Sequence, residues 1–119
     1  MTRAEFIQLC LSFAGVYEDY PFHDPNWTVM RHHGTTRSFA LVYEREGKLW
    51  ANLKCEPMQA EFWRKVYTQV QPGYHMNKTH WNTILLDGSL PEEVLEEMLR
   101  HSYDLTKPKS KAPKKKRPT

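Results

Sequence analysis

Between Tyr74 and Asn82 the chain reads Tyr-His-Met-Asn-Lys-Thr-His-Trp-Asn. Two imidazoles (His75, His80), two amides (Asn77, Asn82), one ammonium (Lys78) and two large aromatics (Tyr74, Trp81) thus stand within nine residues. As a ligand surface, Tyr74 and Trp81 would offer stacking faces while Lys78, Asn77 and the histidines reach phosphates or base edges. As a structured connection, the same run would plug the core with Tyr74 and Trp81 and satisfy local backbone groups with Asn77 and His80. Both readings stand at the level of sequence.

Catalytic and metal chemistry find less support. The spacing of five between His75 and His80 repeats no helical zinc signature, and adjacent His32 and His33 would point to opposite faces of a strand, so no metal is expected. There is no GxSxG, no phosphate-cradling glycine loop and no GxGxxG, and the chain is expected to be no enzyme and to need no cofactor. Cys10 and Cys55 lack CxxC spacing and fall on apolar faces, as reduced core thiols do. Glu92, Glu93, Glu96 and Glu97 fit the solvated side of a helix better than acid/base pairs.

The elements that must carry these residues follow from periodicity. Thr2 and Glu5 form a capping box for a first helix running to about Ala14, with Phe6, Leu9, Cys10 and Phe13 on one face. The proline-rich EDYPFHDPN predicts a loop. Three strands in meander order are expected at Trp27–Arg31, Arg37–Tyr43 and Lys48–Cys55, with Gly34 and Gly47 marking the turns. Phe39, Leu41 and Tyr43 should share one face of the second strand. On the third, Leu49, Ala51, Leu53 and Cys55 should oppose a partly exposed Trp50, Asn52 and Lys54.

Pro57 opens a second helix with an apolar stripe of Met58, Phe62 and Val66. A fourth strand follows at Trp81–Leu86. Ser89 and Glu92 predict another capping box, for a last helix whose Leu90, Val94, Leu95, Met98 and Leu99 face the core as far as about Tyr103. This irregular order disfavours a parallel Rossmann-like sheet and predicts an α+β fold, a single domain with an antiparallel sheet backed by helices on one face.

With 119 residues and 13% aromatics, one core is affordable and two are not. No run approaches a membrane span and the first residues lack the order of a signal peptide, so the expectation is a cytoplasmic protein. The net charge of +3 conceals a division. Lys107, Lys109, Lys111, Lys114, Lys115, Lys116 and Arg117 place seven cations and no acid in residues 107–119, leaving ten cations against fourteen acids in residues 1–106. The boundary of the folded domain is therefore expected near 106, followed by a lysine-rich tail whose composition does not fold and whose cations would meet phosphates in a salt-dependent way.

The stretch PGYHMNKTHWNTILLDG, with SLPEE opening a helix and SYDL closing it, resembles the C-terminal signature of the MmcQ/YjbR family of small bacterial proteins. Gly15 with Glu18, Pro21-Phe22, Ser38-Phe39-Ala40 and Leu53-Lys54 with Pro57 resemble its earlier blocks, so the resemblance spans residues 3 to about 106. It departs at His23, where many relatives carry Gly, and in the tail. The resemblance implies a CyaY-like, double-wing fold and a DNA-binding label. By position it carries over Lys54 and Tyr74, His75, Asn77, Lys78, His80, Trp81 and Asn82 as the family-defining surface, to which Arg31 and Arg37 would add charge. DNA binding aided by the tail is the first expectation, against which the acidic balance of residues 1–106 counts. A protein- or small-ligand-binding domain using the Tyr74–Asn82 cluster is the alternative.

Overall fold

A computed structural model describes residues 1–109. Of the tail cations, only Lys107 and Lys109 are among them, both exposed; the readings on Lys111, Lys114, Lys115, Lys116 and Arg117 lie outside the described residues. The elements run α1 (Arg3–Leu11), β1 (Val16–Asp19), β2 (Thr28–His32), β3 (Ser38–Arg45), β4 (Lys48–Lys54), α2 (Pro57–Val66), β5 (Val70–Pro72), β6 (Trp81–Leu85) and α3 (Glu92–Thr106). They form one six-stranded sheet in the order β1-β2-β3-β4-β6-β5, every neighbour antiparallel. The α+β reading and the central meander hold. No helix among the described residues is long and apolar enough to cross a membrane.

The first capping box is present: the Thr2 hydroxyl accepts from the Glu5 amide at 3.1 Å, and the Glu5 carboxylate accepts from the Thr2 amide at 2.8 Å. The second is not. Pro91 is the N-cap of α3, without a side-chain bond, and the Ser89 amide and hydroxyl both turn to Asp87 Oδ1, at 2.9 and 2.6 Å. The carboxylate two residues earlier closes a tight turn and takes the serine away from the helix.

Two strands lie where loop was expected. β1 pairs with β2 from Val16↔His32 to Asp19↔Val29 and is tied to it by Arg31 Nε on Asp19 Oδ2 at 2.7 Å. β5 is three residues long and carries Pro72, which an edge strand tolerates because its outer amide needs no partner. Both elements are too short for periodicity to reveal.

The helices cover one face of the sheet. Phe6, Ile7 and Cys10 of α1, Ala60 and Trp63 of α2, and Leu95, Met98 and Leu99 of α3 pack on Met30, Ala40, Val42, Ala51, Leu53, Val70 and Ile84 in one continuous core. A bulge between Met30 and Arg31 breaks the expected grouping of β3. Arg31 pairs with Ser38 while Met30 pairs with Ala40, so Phe39 is the extra residue. Its ring joins the helix layer, 5.2 Å from His32 and 5.5 Å from Tyr103, while Leu41 and Tyr43 face the other way. Ser102 of α3 ties down the end of this ladder: its hydroxyl donates to the Phe39 carbonyl at 2.5 Å and accepts the Lys54 amide at 2.8 Å.

The stripe of α2 is turned around. Ala60 and Trp63 are the buried residues, and Met58, Phe62 and Val66 lie on the exposed side. The residues expected to be partly exposed on β4 are also corrected: Trp50 is 6% and Asn52 0% exposed, and only Lys54 is half-buried. Something other than a helix covers that face.

Candidate binding groove on the open sheet face

Strand alternation sends Val29, Leu41, Tyr43, Arg45, Trp50, Asn52 and Thr83 to the face without helices; the registers Leu41↔Asn52↔Thr83 and Tyr43↔Trp50 place them in rows. The segment after β5 lies across these rows, held by a closed polar network. Asn52 Oδ1 accepts from the Tyr43 and Thr83 hydroxyls, each at 2.7 Å, and its amide donates to the Tyr74 carbonyl at 2.9 Å. The Tyr74 amide in turn donates to Thr83 Oγ1 at 2.7 Å. Every buried polar atom in this set has a partner, which is the condition for burying asparagine at no large cost.

Gly73 permits the crossing. A Cβ there would stand 2.8 Å from the Cβ and 2.9 Å from the carbonyl oxygen of Trp81, so only glycine lets the chain pass so close to β6. The Lys78 ammonium donates back to the Gly73 carbonyl at 2.9 Å, and Arg64 of α2 donates to the Lys78 and Trp81 carbonyls and, at 2.6 Å, to Asn82 Oδ1. The segment is thus pinned at both ends.

Above the network the rings stack. Trp27 lies 4.1 Å from Tyr43 at 23°, Tyr43 lies 5.7 Å from Tyr74 at 27°, and the Tyr74 and His75 centroids are 4.1 Å apart. The Arg45 guanidinium sits over Tyr74 at 4.1 Å and Trp50 at 4.8 Å, a cation between two aromatic faces. Beside the stack a groove of about 300 Å³ is left open, walled by Phe22, Trp27, Leu41, His75 and Met76, with Asp24 as its only charged lining residue. Phe22 is 52% exposed and meets Trp27 edge-on at 6.4 Å. His75 is held with φ at +60°, in the left-handed region.

Such a groove can hold a flat, largely apolar group and offer one carboxylate to a donor. A larger cleft, about 660 Å³, lies between α1 and the start of α3; Leu9, Leu85, Leu90 and Leu95 line it with Glu5, Glu92 and Met1, and no lysine or arginine is among its lining residues. Neither holds a nucleophile beside a base. Burial pushes the Cys55 thiol up to about 12 and Cys10 higher still, so both remain protonated and inert. Among the described residues, no three His, Cys, Asp or Glu side chains converge as metal ligands would.

The residues singled out by sequence do not form one surface. Tyr74 belongs to the stack and His75 to the groove; Asn77, Lys78 and His80 are exposed, with the Asn77 side chain accepting the Thr79 amide at 2.9 Å. Asn82 is buried on the helix side, on Arg64, while Trp81 and Lys54 are paired across β6 and β4 on the open side. Arg31 is engaged by Asp19, and Arg37 stands exposed in the connection between β2 and β3. The groove's Phe22 and Trp27, and the supporting Arg45 and Arg64, were missed. The signal available for the first two was a Phe in the proline-rich loop and a Trp directly after it, two large rings flanking a segment that packing alone gives no reason to make aromatic.

A sequence model described as YjbR matches residues 11–105. The chain is 34% identical over 103 residues to the protein YjbR of Escherichia coli K12, covering 87% of this chain and 85% of that one. It is 29% identical over 118 residues to YyaQ of Bacillus subtilis, covering 90% and 99%. A crystal structure from Pseudomonas syringae superposes with a TM-score of 0.80 at 28% identity, over 89% of this chain and 99% of that one. One from Deinococcus radiodurans does so with a TM-score of 0.78 at 34% identity, over 87% and 77%. With its sheet, its crossing segment and nearly its whole described length accounted for by these matches, the chain belongs to the YjbR family.

Proposed function

We propose that this YjbR-family chain is a non-enzymatic binding domain whose site is the groove on the open sheet face, and that the groove takes a flat, largely apolar group such as an aromatic side chain or heteroaromatic ring. The observation that carries the proposal is the half-open ring of Phe22, Trp27, Leu41, His75 and Met76 around one carboxylate, beside a satisfied polar network centred on Asn52. A ring entering beside Trp27 gains apolar burial and edge or face contacts, and Asp24 selects a ligand with a donor at its rim. Titration of the full chain with indole, adenosine and a tryptophan-containing peptide should shift the amide resonances of Phe22, Asp24, Trp27, His75 and Met76 and the indole resonance of Trp27. Phe22→Ala should weaken the effective probe about tenfold, the loss expected for one ring contact of about 1.4 kcal/mol. Probes that shift no groove resonance at millimolar concentration would count decisively against this site.

Nucleic-acid contact is a second reading, favoured by one observation, the seven cations of residues 107–119. In the domain itself five of the ten cations, Arg3, Arg31, Arg45, Arg64 and Lys78, are engaged by carbonyls, a carboxylate or aromatic rings, which draws them away from phosphates. In the full chain, replacing the seven tail cations with Gln should remove duplex-DNA binding together with most of its salt dependence. Binding that survives, and that Lys54→Ala then weakens, would transfer the nucleic-acid role to the domain.

A further inference from the structure

The outward side of α2 is apolar. Met58 is 85%, Phe62 56% and Val66 51% exposed, one residue per turn along the whole helix, while the opposite side anchors it through Ala60 and Trp63, the latter edge-on to His101 at 5.3 Å. Nothing in the monomer needs a ridge of this kind in water, and large apolar side chains gathered on one helix face mark a contact surface.

We propose that this ridge is a contact between two copies of the chain, with two α2 helices antiparallel about a two-fold axis at Phe62. A ridge of residues spaced by four is the unit that interdigitates when helices cross. A two-fold axis makes the surface its own complement. Phe62 then meets the partner's Phe62, and Met58 and Val66 at its two ends meet Val66 and Met58 of the partner subunit. The charges fit the same arrangement. Turning about 100° per residue places Glu61 and Lys65 on one flank of the ridge, with neutral Gln59 on the other. In an antiparallel pair like flanks face each other, so Glu61 lies opposite Lys65 of the partner subunit and Lys65 opposite the partner's Glu61. Among the described ion pairs, Glu61 and Lys65 do not bind each other within the helix, which leaves both for such contacts. A ten-residue helix buries less than the roughly 800 Å² per partner of a standard interface, so the dimer is weak and concentration-dependent.

Sedimentation velocity on the full chain, from micromolar to near-millimolar concentration at low salt, tests this. The wild-type chain should pass from monomer to dimer across that range, and Phe62→Glu should stay monomeric; because Phe62 is already half exposed, its fold should survive, as circular dichroism would verify. Glu61→Lys and Lys65→Glu should each weaken self-association about tenfold or more by opposing like charges. Mixed in equal amounts, those two variants should associate more tightly than either alone, because each copy supplies the charge the other lacks. A wild-type chain that stays monomeric throughout, a dimer indifferent to Phe62→Glu, or a mixture no tighter than its components would overturn the proposal.

Discussion

Asn52 carries more of the open face than any other side chain. Its carboxamide joins β3 through Tyr43, β6 through Thr83 and the crossing segment through the Tyr74 carbonyl, all without solvent exposure. Leucine at this position would match it in size, orphan the Tyr74 carbonyl and leave the Tyr43 and Thr83 hydroxyls without their acceptor. Because an unpaired buried polar group costs about 1–3 kcal/mol, and relaxation toward water will spare some of it, Asn52→Leu should lower stability by about 2–4 kcal/mol. Released from its anchor, the Tyr74–His75 turn should also lose its fixed place beside Trp27, so tryptophan emission of the folded variant should shift to the red. Urea unfolding followed by both emission and far-ultraviolet dichroism checks this; a change below about 0.5 kcal/mol would mean that the network is peripheral to the fold.

At the scale of elements, the β3–β4 hairpin shows a local choice that differs from the ideal one. Glu46 and Gly47 form its two-residue turn with φ of +55° and +75°, the doubly left-handed geometry that favours Asn-Gly. Glu46→Asn should therefore raise stability by about 0.5–1 kcal/mol without changing the register, a gain readable as a higher thermal midpoint. This hairpin was legible in the sequence because alternation and Gly47 agree, as was α1 from Thr2 and Glu5. The α2 helix was legible only in part. Periodicity reports that Met58, Phe62 and Val66 share a side but not which side meets the sheet; Trp63, Ala60 and the reach of Arg64 to Asn82 decide that in three dimensions. The bulge that moves Phe39 to the helix layer leaves no mark in a two-residue period. The groove was the least legible of all, since Phe22 and Trp27 come from one loop and His75 and Met76 from another some fifty positions away, and neither loop has a periodic pattern to announce the meeting.

For the molecule as a whole, charge and proton balance bear on function and stability separately. Residues 1–106 are acidic and the cations are concentrated beyond them, so the pI near 8.9 describes the chain and not the folded surface. Within the fold, one imidazole links pH to global stability. His32 is buried between Phe39 and Tyr103, and its Nε2 lies 2.8 Å from the Thr106 hydroxyl. That hydroxyl also lies 2.8 Å from the Ser102 carbonyl; when it donates there the ring nitrogen is the donor, and neutral imidazole satisfies either arrangement through its choice of tautomer. Burial, then the charges of Arg37 and Lys107, lower the folded-state value below the ordinary 6.5. Above 6.5 both folded and unfolded chains hold a neutral ring and the stabilising contribution is complete. As the pH falls below 6.5 the unfolded ring takes up a proton that the folded ring refuses, so stability is lost until the pH has passed through the depressed folded-state value. Because α3 closes on the sheet at this point, the loss should appear in the cooperative unfolding of the whole domain. Urea unfolding of the wild-type chain from pH 8 down to pH 5 should give a free energy that declines more steeply below about 6.5 than that of His32→Gln, which carries no titrating ring. Parallel pH profiles for the two proteins would show that His32 is not the group responsible.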